Sequence, residues 1–374
     1  MFRNVFFIAF SQKLKITCGL LFLLIGGVCR AQNNENTTYY NDAYFLLEGT
    51  QIADSLKENK YDRLPLSLKN IVREPVWNLS KCSSGLSIRF LTNSSRIKVK
   101  WTVLNDFKMN HMAETGIKGI DLYYNNKGTF EYLNTARPQG KENEYLLMQN
   151  MTEELREFKM FLPLYDGIEN IEVGIDTGSK IEKPEVTKSG SILFYGTSIT
   201  QGGCASRPGM VHTNIISRKL NIECINFGFS GNGMMEQPIN ELISEFDPLF
   251  YVIECLPNMD KEQIEMRSLP LVETIRVKHA TTPIIFVENF IYDFLALNGS
   301  ELKKVQQKNE ALKIQYSKMI EGGYKHIYYI EGNNAMGNDH EGTVDGVHFT
   351  DLGFIRYADF LIEKFKDLGL LKKI

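Results

Sequence analysis

The stretch Ser191-Ile-Leu-Phe-Tyr195, followed at once by Gly196-Thr-Ser-Ile-Thr-Gln-Gly202, decides the fold and directs attention to one side chain. A short apolar run that ends in a glycine-flanked turn is typical of a strand buried on both faces of a parallel sheet. Ser198 would lie just past this strand with its hydroxyl exposed, where a nucleophile belongs if a base lies nearby. The alternative is an ordinary Ser/Thr cap for the next helix.

The rest of the C-terminal half repeats this rhythm of strand and helix. Further strand-like runs fall at 223–227, 249–254, 284–287 and 326–330. Helical patterns fall at 211–220, 237–246, 261–279, 301–322 and 352–368. Five strands separated by helices predict a parallel sheet covered on both faces. Ligands bind such sheets beyond the carboxyl ends of the strands, so functional residues are expected just after each strand.

The N-terminal half has a different pattern. Short runs with period-two alternation occur at 86–91, 97–103, 119–124, 128–133 and 171–175. This alternation, rich in β-branched and aromatic residues, predicts a β-sandwich. The polar segment 181–189 contains a proline and is typical of a linker. We therefore expect an all-β domain over 32–185 and an α/β domain over 190–374.

The first 31 residues have the pattern of a secretory signal peptide. Basic residues precede the apolar run 16–29, which ends at Cys29-Arg30-Ala31, with small residues at the two positions that define cleavage. A retained membrane anchor is the alternative, but the run is shorter than the roughly 18 residues that a spanning helix needs. The chain is thus expected to be secreted or periplasmic, with no stable membrane insertion after cleavage.

Composition limits the classes of protein to which the chain can belong. The 374 residues are 43% hydrophobic and 23% charged, which excludes a disordered chain, a coiled coil and a disulfide-stapled miniprotein. With 42 basic and 45 acidic residues, the net charge is −3. Such a chain offers no basic surface for a nucleic-acid backbone, so no nucleic-acid partner is expected.

Four cysteines remain after the signal peptide: Cys82, Cys204, Cys224 and Cys255. They could be buried free thiols, or Cys204 and Cys255 could form a disulfide in an oxidising compartment. The sequence does not choose among the pairings. Because no Cys-x-x-Cys pair or His/Cys cluster with zinc spacing occurs, no structural metal is predicted.

Three more candidate segments follow predicted strands or precede the last helix. Asn226-Phe-Gly-Phe-Ser-Gly231-Asn-Gly233 is a glycine-rich loop that could aim backbone N–H groups at a ligand, and it lacks the phosphate-binding patterns. Glu254-Cys-Leu-Pro-Asn258 places an amide at the same end of the sheet. Asp345-Gly-Val-His348 could let the carboxylate fix one imidazole nitrogen while the other faces outward.

Ser198, Gly231, Asn258 and His348, in this order, resemble the four blocks of the SGNH (GDSL-type) hydrolases. Gly119-Ile-Asp-Leu-Tyr123 is similar to the Gly-x-Asp-Leu-Tyr motif of secreted bacterial esterases with an N-terminal sandwich. The resemblance therefore covers most of the mature chain. It implies a three-layer, flavodoxin-like hydrolase domain with a five-stranded parallel sheet, preceded by an all-β, jelly-roll-like sandwich.

The resemblance also implies roles. Ser198 would be the nucleophile, His348 the general base and Asp345 its orienting carboxylate. The backbone N–H groups of Ser198 and Gly231 and the side-chain amide of Asn258 would form the oxyanion hole, and no metal or cofactor is implied. Two departures exist: a threonine replaces the acid of Gly-Asp-Ser, and Leu256-Pro-Asn-Met259 lacks the glycine and the acid of Gly-x-Asn-Asp.

Other residues are candidates for contact with substrate. Arg207 could recognise a carboxylate or a sugar, or could pair with a surface acid. The residues expected to border an acyl pocket are Thr200, Gln201, Asn232, Met234, Pro257 and Met259. In the sandwich, Asp121 and the 105–111 loop could close over the cleft or could be purely structural.

These observations together predict a secreted, metal-independent serine esterase. We expect it to remove short acyl groups, such as acetate, from carbohydrate or another small ester. A lysophospholipase or thioesterase with the same catalytic set is the first alternative. The second is a carbohydrate-binding protein with a degenerate hydrolase domain, against which the intact Ser, Asp and His set argues.

Overall fold

The computed structural model describes residues 36–186, 190–333 and 335–372. The predicted signal peptide at 1–31 lies outside these residues, as does 187–189 of the predicted linker. None of the helices within the described ranges is long and apolar enough to cross a membrane. The chain from Thr37 onward forms one compact unit.

Antiparallel strands and two short helices form the N-terminal part. The strands are β1 (Thr37–Tyr40), β2 (Leu46–Glu48), β3 (Ser87–Thr92), β4 (Ile97–Val103), β5 (Ile120–Asn126), β6 (Thr129–Ala136), β7 (Glu142–Met148), β8 (Arg156–Phe161), β9 (Ile168–Asp176) and β10 (Ile181–Glu182). The helices are α1 (Glu74–Ser80) and α2 (Glu114–Lys118). One sheet has the order β1-β9-β4-β7, and the other has β10-β3-β8-β5-β6 with β2 beside β3.

The two sheets bury one shared core. Along β4, Ile97, Val99, Trp101 and Val103 are buried and alternate with partly exposed residues, as the period of two predicts. They belong to the same hydrophobic cluster as Ile88 and other residues of the second sheet. The predicted β-sandwich is confirmed.

A parallel sheet with helices forms the C-terminal part. In chain order the elements are β11 (Ser191–Gly196), α3 (Ser198–Gln201), α4 (His212–Leu220), β12 (Glu223–Gly228), α5 (Gln237–Ile243), β13 (Phe250–Glu254), α6 (Lys261–Lys278), β14 (Ile284–Val287), α7 (Gly299–Glu321), β15 (Ile327–Ile330) and α8 (Asp351–Asp367). The strand order is β12-β11-β13-β14-β15, and every pairing is parallel. The predicted five-stranded sheet is confirmed.

Side chains of β11 alternate between two hydrophobic cores. Ile192 and Phe194 join a core that includes residues of α4 and α8, whereas Leu193 and Tyr195 join a core that includes residues of α5, α6 and α7. This explains why the strand is apolar at consecutive positions. The arrangement is the predicted three-layer architecture.

The order in which the chain adds strands to the sheet reverses at β11, because β12 lies on one side of it and β13 on the other. Crossovers leave such a strand toward opposite sides and open a crevice at its carboxyl end, where ligands bind in open α/β sheets. Backbone segments approach closely there: a Cβ at Gly233 would lie 1.9 Å from the carbonyl oxygen of Gly196. Only glycine fits at residue 233, and Ser198 follows directly on this edge.

The four cysteines of the described chain are free, buried thiols. Cys255 is fully buried in the core on the α5 and α6 side, and its sulfur contacts the carbonyl oxygen of Tyr195 at 3.5 Å. Cys204 lies on the loop after α3, where the Asp345 carboxylate adds to the effect of burial in raising the pKa of its thiol to about 12. The two thiols occupy different environments, and the disulfide considered above is not formed.

Candidate active site

Ser198 is the first residue of α3, and the residue before it caps the helix. The Thr197 side chain accepts a hydrogen bond from the backbone N–H of Ile199, and the Thr200 hydroxyl accepts one from the backbone N–H of Thr197. The turn therefore contains both a helix cap, at Thr197, and a candidate nucleophile, at Ser198. Because Thr197 is the cap, the Ser198 hydroxyl is left for another partner.

That partner is His348. Its Nε2 lies 2.9 Å from the Ser198 Oγ, and its Nδ1 lies 2.7 Å from the Oδ2 of Asp345. The structure thus brings together three residues that the sequence separates by up to 150 positions.

The carboxylate of Asp345 is fixed by its own turn. Its Oδ1 accepts hydrogen bonds from the backbone N–H groups of Val347 and His348, at 3.0 and 2.8 Å. Burial raises the pKa of Asp345, but the hydrogen bonds from His348 and Val347 outweigh it and lower that pKa to about 2. The carboxylate is therefore charged at neutral pH and can hold Nδ1–H in place.

The turn that carries His348 is anchored on both sides. Thr343 pairs with Phe349 in a short antiparallel bridge, and Phe349 is fully buried against the ring of Phe290. Immediately afterwards, the Thr350 hydroxyl caps α8 by accepting from the N–H of Gly353. A buried aromatic residue and a helix cap thus fix the imidazole beside the carboxyl edge of the sheet.

Gly231 and Asn258 lie at the same edge. Gly231 has φ +67°, a backbone conformation that L side chains rarely adopt, and open space where a Cβ would be. The Asn258 Oδ1 accepts a hydrogen bond from the N–H of Gly233 at 3.2 Å, which leaves the amino group of the amide available. Ser198, Gly231, Asn258 and His348 line one pocket of about 440 Å³.

Much of this pocket comes from a segment that sequence reasoning missed. The run that follows β14 and the first turns of α7 contribute Asn289, Tyr292, Phe294, Leu295, Glu301, Val305 and Lys308. The signal that could have found them is the strand end itself, because residues 288–297 follow β14 directly. The lining is mixed: apolar side chains lie beside a carboxylate and an ammonium group.

Of the residues expected to border an acyl pocket, Pro257 lines it. Thr200 and Gln201 are buried, where the Thr200 hydroxyl binds Glu254 and the Gln201 Oε1 accepts from the N–H of Ser230. Met259 is 1% exposed and packs in the core on the α6 side, so its assignment to substrate binding is wrong. The remaining two, Asn232 and Met234, contact the guanidinium of Arg73.

Arg207 also lies away from the pocket. Its guanidinium donates to the Asp121 Oδ2 at 2.7 Å and to the Tyr123 hydroxyl at 2.6 Å, and lies 3.8 Å from the centroid of the Tyr132 ring. Asp121 is fully buried and also accepts from the N–H of Gly209. The Gly-x-Asp-Leu-Tyr motif therefore attaches the sandwich to the loop after α3, and neither Arg207 nor Asp121 is placed to bind substrate.

The 105–111 loop, in contrast, reaches the site. The ring centroids of His111 and His348 lie 5.9 Å apart, and Phe107 on the same loop is half exposed. A second groove, of about 660 Å³, runs between this loop, α1 and Ser230. The groove is lined by Pro75, Asn78, Leu79, Lys81, Cys82, Leu104, Asn105, Phe107, Lys108, Met109, Tyr165, Ser230 and Asn232. Ser230 also borders the first pocket, so the two are adjacent.

Comparison with known proteins places this geometry in a family. Residues 189–366 match the GDSL-like lipase/acylhydrolase family, and residues 37–181 match the GxDLY domain described as the N-terminus of SGNH-hydrolase-type esterases. No curated protein matches the chain.

Solved structures share the fold over most of the chain. A protein of Bacteroides ovatus ATCC 8483 assigned as a GDSL-like lipase is 34% identical, with a TM-score of 0.85 over 90% of this chain and 98% of that one. A salicylyl-acyltransferase from a tetracycline biosynthetic pathway is 15% identical, with a TM-score of 0.73 over 89% and 98%. A family two carbohydrate esterase from Clostridium thermocellum, in complex with cellohexaose, is 14% identical, with a TM-score of 0.54 over 77% and 94%. From these matches and the site above, the chain belongs to the GDSL-like lipase/acylhydrolase family and carries its GxDLY N-terminal domain.

Proposed function

We propose that this protein is a serine esterase that removes short acyl groups, acetyl in particular, from carbohydrate, outside the cytoplasm. The observation that carries the proposal is the hydrogen-bonded series from the Ser198 Oγ through His348 to Asp345, at 2.9 and 2.7 Å. This series is the arrangement that activates a serine hydroxyl for attack on an acyl carbon. The predicted signal peptide supports a site of action beyond the cytoplasm.

The proposed reaction passes through an acyl-enzyme. The Nε2 of His348 takes the proton of Ser198, whose oxygen attacks the ester carbonyl. Negative charge then develops on the carbonyl oxygen, where the N–H groups of Ser198 and Gly231 and the amide of Asn258 donate hydrogen bonds. His348 returns the proton to the leaving alcohol, and a water molecule repeats the cycle to release the acid. Asp345 holds the imidazole in the tautomer that both steps need.

The two adjacent cavities suggest how an ester would lie. The pocket beside His348 suits the acyl group, and the groove behind Ser230 suits the alcohol. The groove offers the half-exposed ring of Phe107 with amides of Asn78 and Asn105, an arrangement that fits the apolar faces and hydroxyl groups of sugars. The carbohydrate esterase bound to cellohexaose has a similar fold, which adds support for a sugar substrate.

Acyl length tests this proposal directly. We expect kcat/KM for nitrophenyl esters to peak at acetyl or butyryl and to fall steeply by octanoyl. The reason is that a long chain would meet Glu301 and Lys308 among the lining residues, and each methylene without apolar burial forgoes about 0.8 kcal/mol. A preference for dodecanoyl esters or acyl-thioesters would instead favour the lysophospholipase or thioesterase alternative. In that case the rings of Tyr292 and Phe294 would pack against the long acyl chain.

The alcohol side is tested by Phe107→Ala. Loss of the ring should raise KM for acetylated oligosaccharides by up to about tenfold, the value of roughly 1.4 kcal/mol of lost stacking. Acetate release from nitrophenyl acetate should change little, because that small ester does not need the groove. Tyr44→Ala is the matched control, since Tyr44 is an aromatic residue of similar exposure elsewhere on the sandwich. Equal KM values for both variants would remove Phe107 from substrate binding.

The role of the carboxylate is tested by Asp345→Asn. We expect kcat to fall by about 10³- to 10⁴-fold, because an amide cannot hold Nδ1–H and stabilise the imidazolium. Some acylation should remain, since His348 itself is intact. The control is Asp293→Asn, because Asp293 binds the exposed His340 through the same Nδ1 contact at 2.7 Å. Unchanged kcat/KM for Asp345→Asn would exclude Asp345 from the mechanism.

A further inference from the structure

His348 and three side chains near its imidazole form a cluster of four potential metal ligands. One donor atom each from His111, Cys204, Asp345 and His348 lies within 4.8 Å of all the others. They come from three separate segments: the sandwich loop 105–111, the loop after α3, and the turn before α8. Two imidazoles, a thiol and a carboxylate are the donor types that Zn²⁺ prefers in proteins.

We propose that this cluster is an inhibitory zinc site, at which Zn²⁺ binds reversibly and stops turnover. The site itself rests on the positions of the four side chains, whereas inhibition rests on the esterase function proposed above. The ion would be a regulator and not a cofactor, because one of its ligands is the residue assigned as the general base.

The distances need a small adjustment to form a closed site. A tetrahedral zinc ion with bonds of about 2.0–2.3 Å holds its ligand atoms roughly 3.3–3.8 Å apart. His111 can supply the movement, because it is exposed on a loop and its Nδ1 contacts only the side chain of the preceding Asn110 among the hydrogen bonds of the described chain. The other three ligands lie on anchored segments, so the site is largely built before His111 joins it.

The loop that carries Cys204 is held tightly against the imidazole. The N–H of Gly203 donates to the carbonyl oxygen of Ser198 at 2.7 Å, and a Cβ at Gly203 would lie 3.0 Å from the Cδ2 of His348. Cys204 itself has φ +69°, a left-handed conformation that is strained for cysteine. This backbone places a buried thiol beside the two residues of the catalytic turn, where a thiol has no part in the proposed esterase reaction.

Zinc would stop ester hydrolysis whichever of the two imidazole nitrogens of His348 it binds. Zinc on Nε2 occupies the lone pair that takes the proton of Ser198. Zinc on Nδ1 displaces the proton shared with Asp345, and the neutral imidazole then carries its proton on Nε2, so the lone pair facing Ser198 is again lost. In either case the thiol of Cys204 releases its proton to solvent as the sulfur–zinc bond forms.

Inhibition of nitrophenyl acetate hydrolysis by zinc chloride provides the first test. We expect inhibition of the wild-type enzyme that a chelator reverses fully. His111→Ala and Cys204→Ser should each raise the zinc concentration for half-inhibition by at least about tenfold, since loss of a supporting group alone weakens metal sites by about 10- to 100-fold. His340→Ala is the matched control and should behave as wild type, because His340 is an exposed histidine that also binds an aspartate. Equal zinc sensitivity of all four proteins, or none, would overturn the proposal.

Cobalt binding tests the site without activity. In Ser198→Ala protein, Co²⁺ should produce a thiolate-to-metal charge-transfer band at a stoichiometry of one per chain, and the band should disappear when Cys204→Ser is added. His111→Ala covers the possibility that the cysteine variant fails to fold, because His111 lies on the surface. An inactive wild type with an intact band would refute the esterase and keep the site; an active enzyme with no band would refute the site alone.

Discussion

Replacing Ser198 with alanine should lower kcat for acetyl esters by roughly 10⁴- to 10⁶-fold, while the thermal midpoint stays within a degree or so of wild type. The large loss follows from removal of the attacking oxygen, which lies 2.9 Å from the Nε2 of His348. The small effect on stability follows because Thr197, and not Ser198, caps α3. Ester hydrolysis and a melting curve measured on the same preparation check both parts.

Thr197→Ala gives the matched comparison. This variant keeps the Ser198 hydroxyl but removes the side-chain cap, so it should lower the free energy of unfolding by about 1 kcal/mol and leave far more activity than Ser198→Ala does. Near wild-type turnover by Ser198→Ala would show that another group carries the reaction. It would leave the family assignment intact and remove the proposed mechanism.

The sequence was sufficient wherever a functional residue directly follows a strand or precedes a helix. Parallel strands bring their carboxyl ends to one edge, so local patterns after β11, β12 and β13 predicted that Ser198, Gly231 and Asn258 would be neighbours. The Asp345 and His348 pair needed only its spacing of three residues. In each case the position along the chain determines the position in the fold.

The sequence was insufficient where a partner lies far along the chain. Arg207 follows the nucleophile closely, but its guanidinium binds Asp121 and Tyr123, which no local pattern could reveal. Met259 follows Asn258 directly, yet the 3₁₀ turn Leu256–Asn258 directs Met259 into the core. Likewise His111 belongs to a loop of the N-terminal sandwich, and only the packing of the sandwich against the α/β part brings it close to His348.

Arg63 is a residue that joins the two parts of the chain next to the site. Its guanidinium donates to four backbone carbonyl oxygens: Leu79 and Cys82 on the N-terminal side, and Asn226 and Gly228 at the end of β12. The side chain is 3% exposed, and burial lowers its pKa to about 10, so it remains charged at neutral pH. Arg63 thus ties the segment between β2 and β3 to the strand that leads to Gly231.

Arg63→Met should therefore cost about 3–5 kcal/mol in the free energy of unfolding, because methionine cannot replace the four hydrogen bonds that the buried guanidinium donates to carbonyl oxygens. Arg63→Lys keeps the charge but lacks the planar fork, and should lie between wild type and methionine. Denaturant titration of each variant measures the change. Arg137→Met is the control, since this exposed arginine contacts Tyr145 alone among the described hydrogen bonds and should change stability by less than about 1 kcal/mol.

Arg63→Met should also reduce kcat under conditions in which the variant is still folded. Two of the four carbonyl groups lie at the carboxyl end of β12, so their release lets the loop with Gly231 move relative to Ser198. A displaced oxyanion donor typically costs up to about 10²- to 10³-fold in rate, whereas a purely structural role would leave kcat of the folded fraction unchanged. If Arg63→Met were as stable and as active as wild type, water must satisfy the carbonyl groups, and the N-terminal segment would have no part in shaping the site.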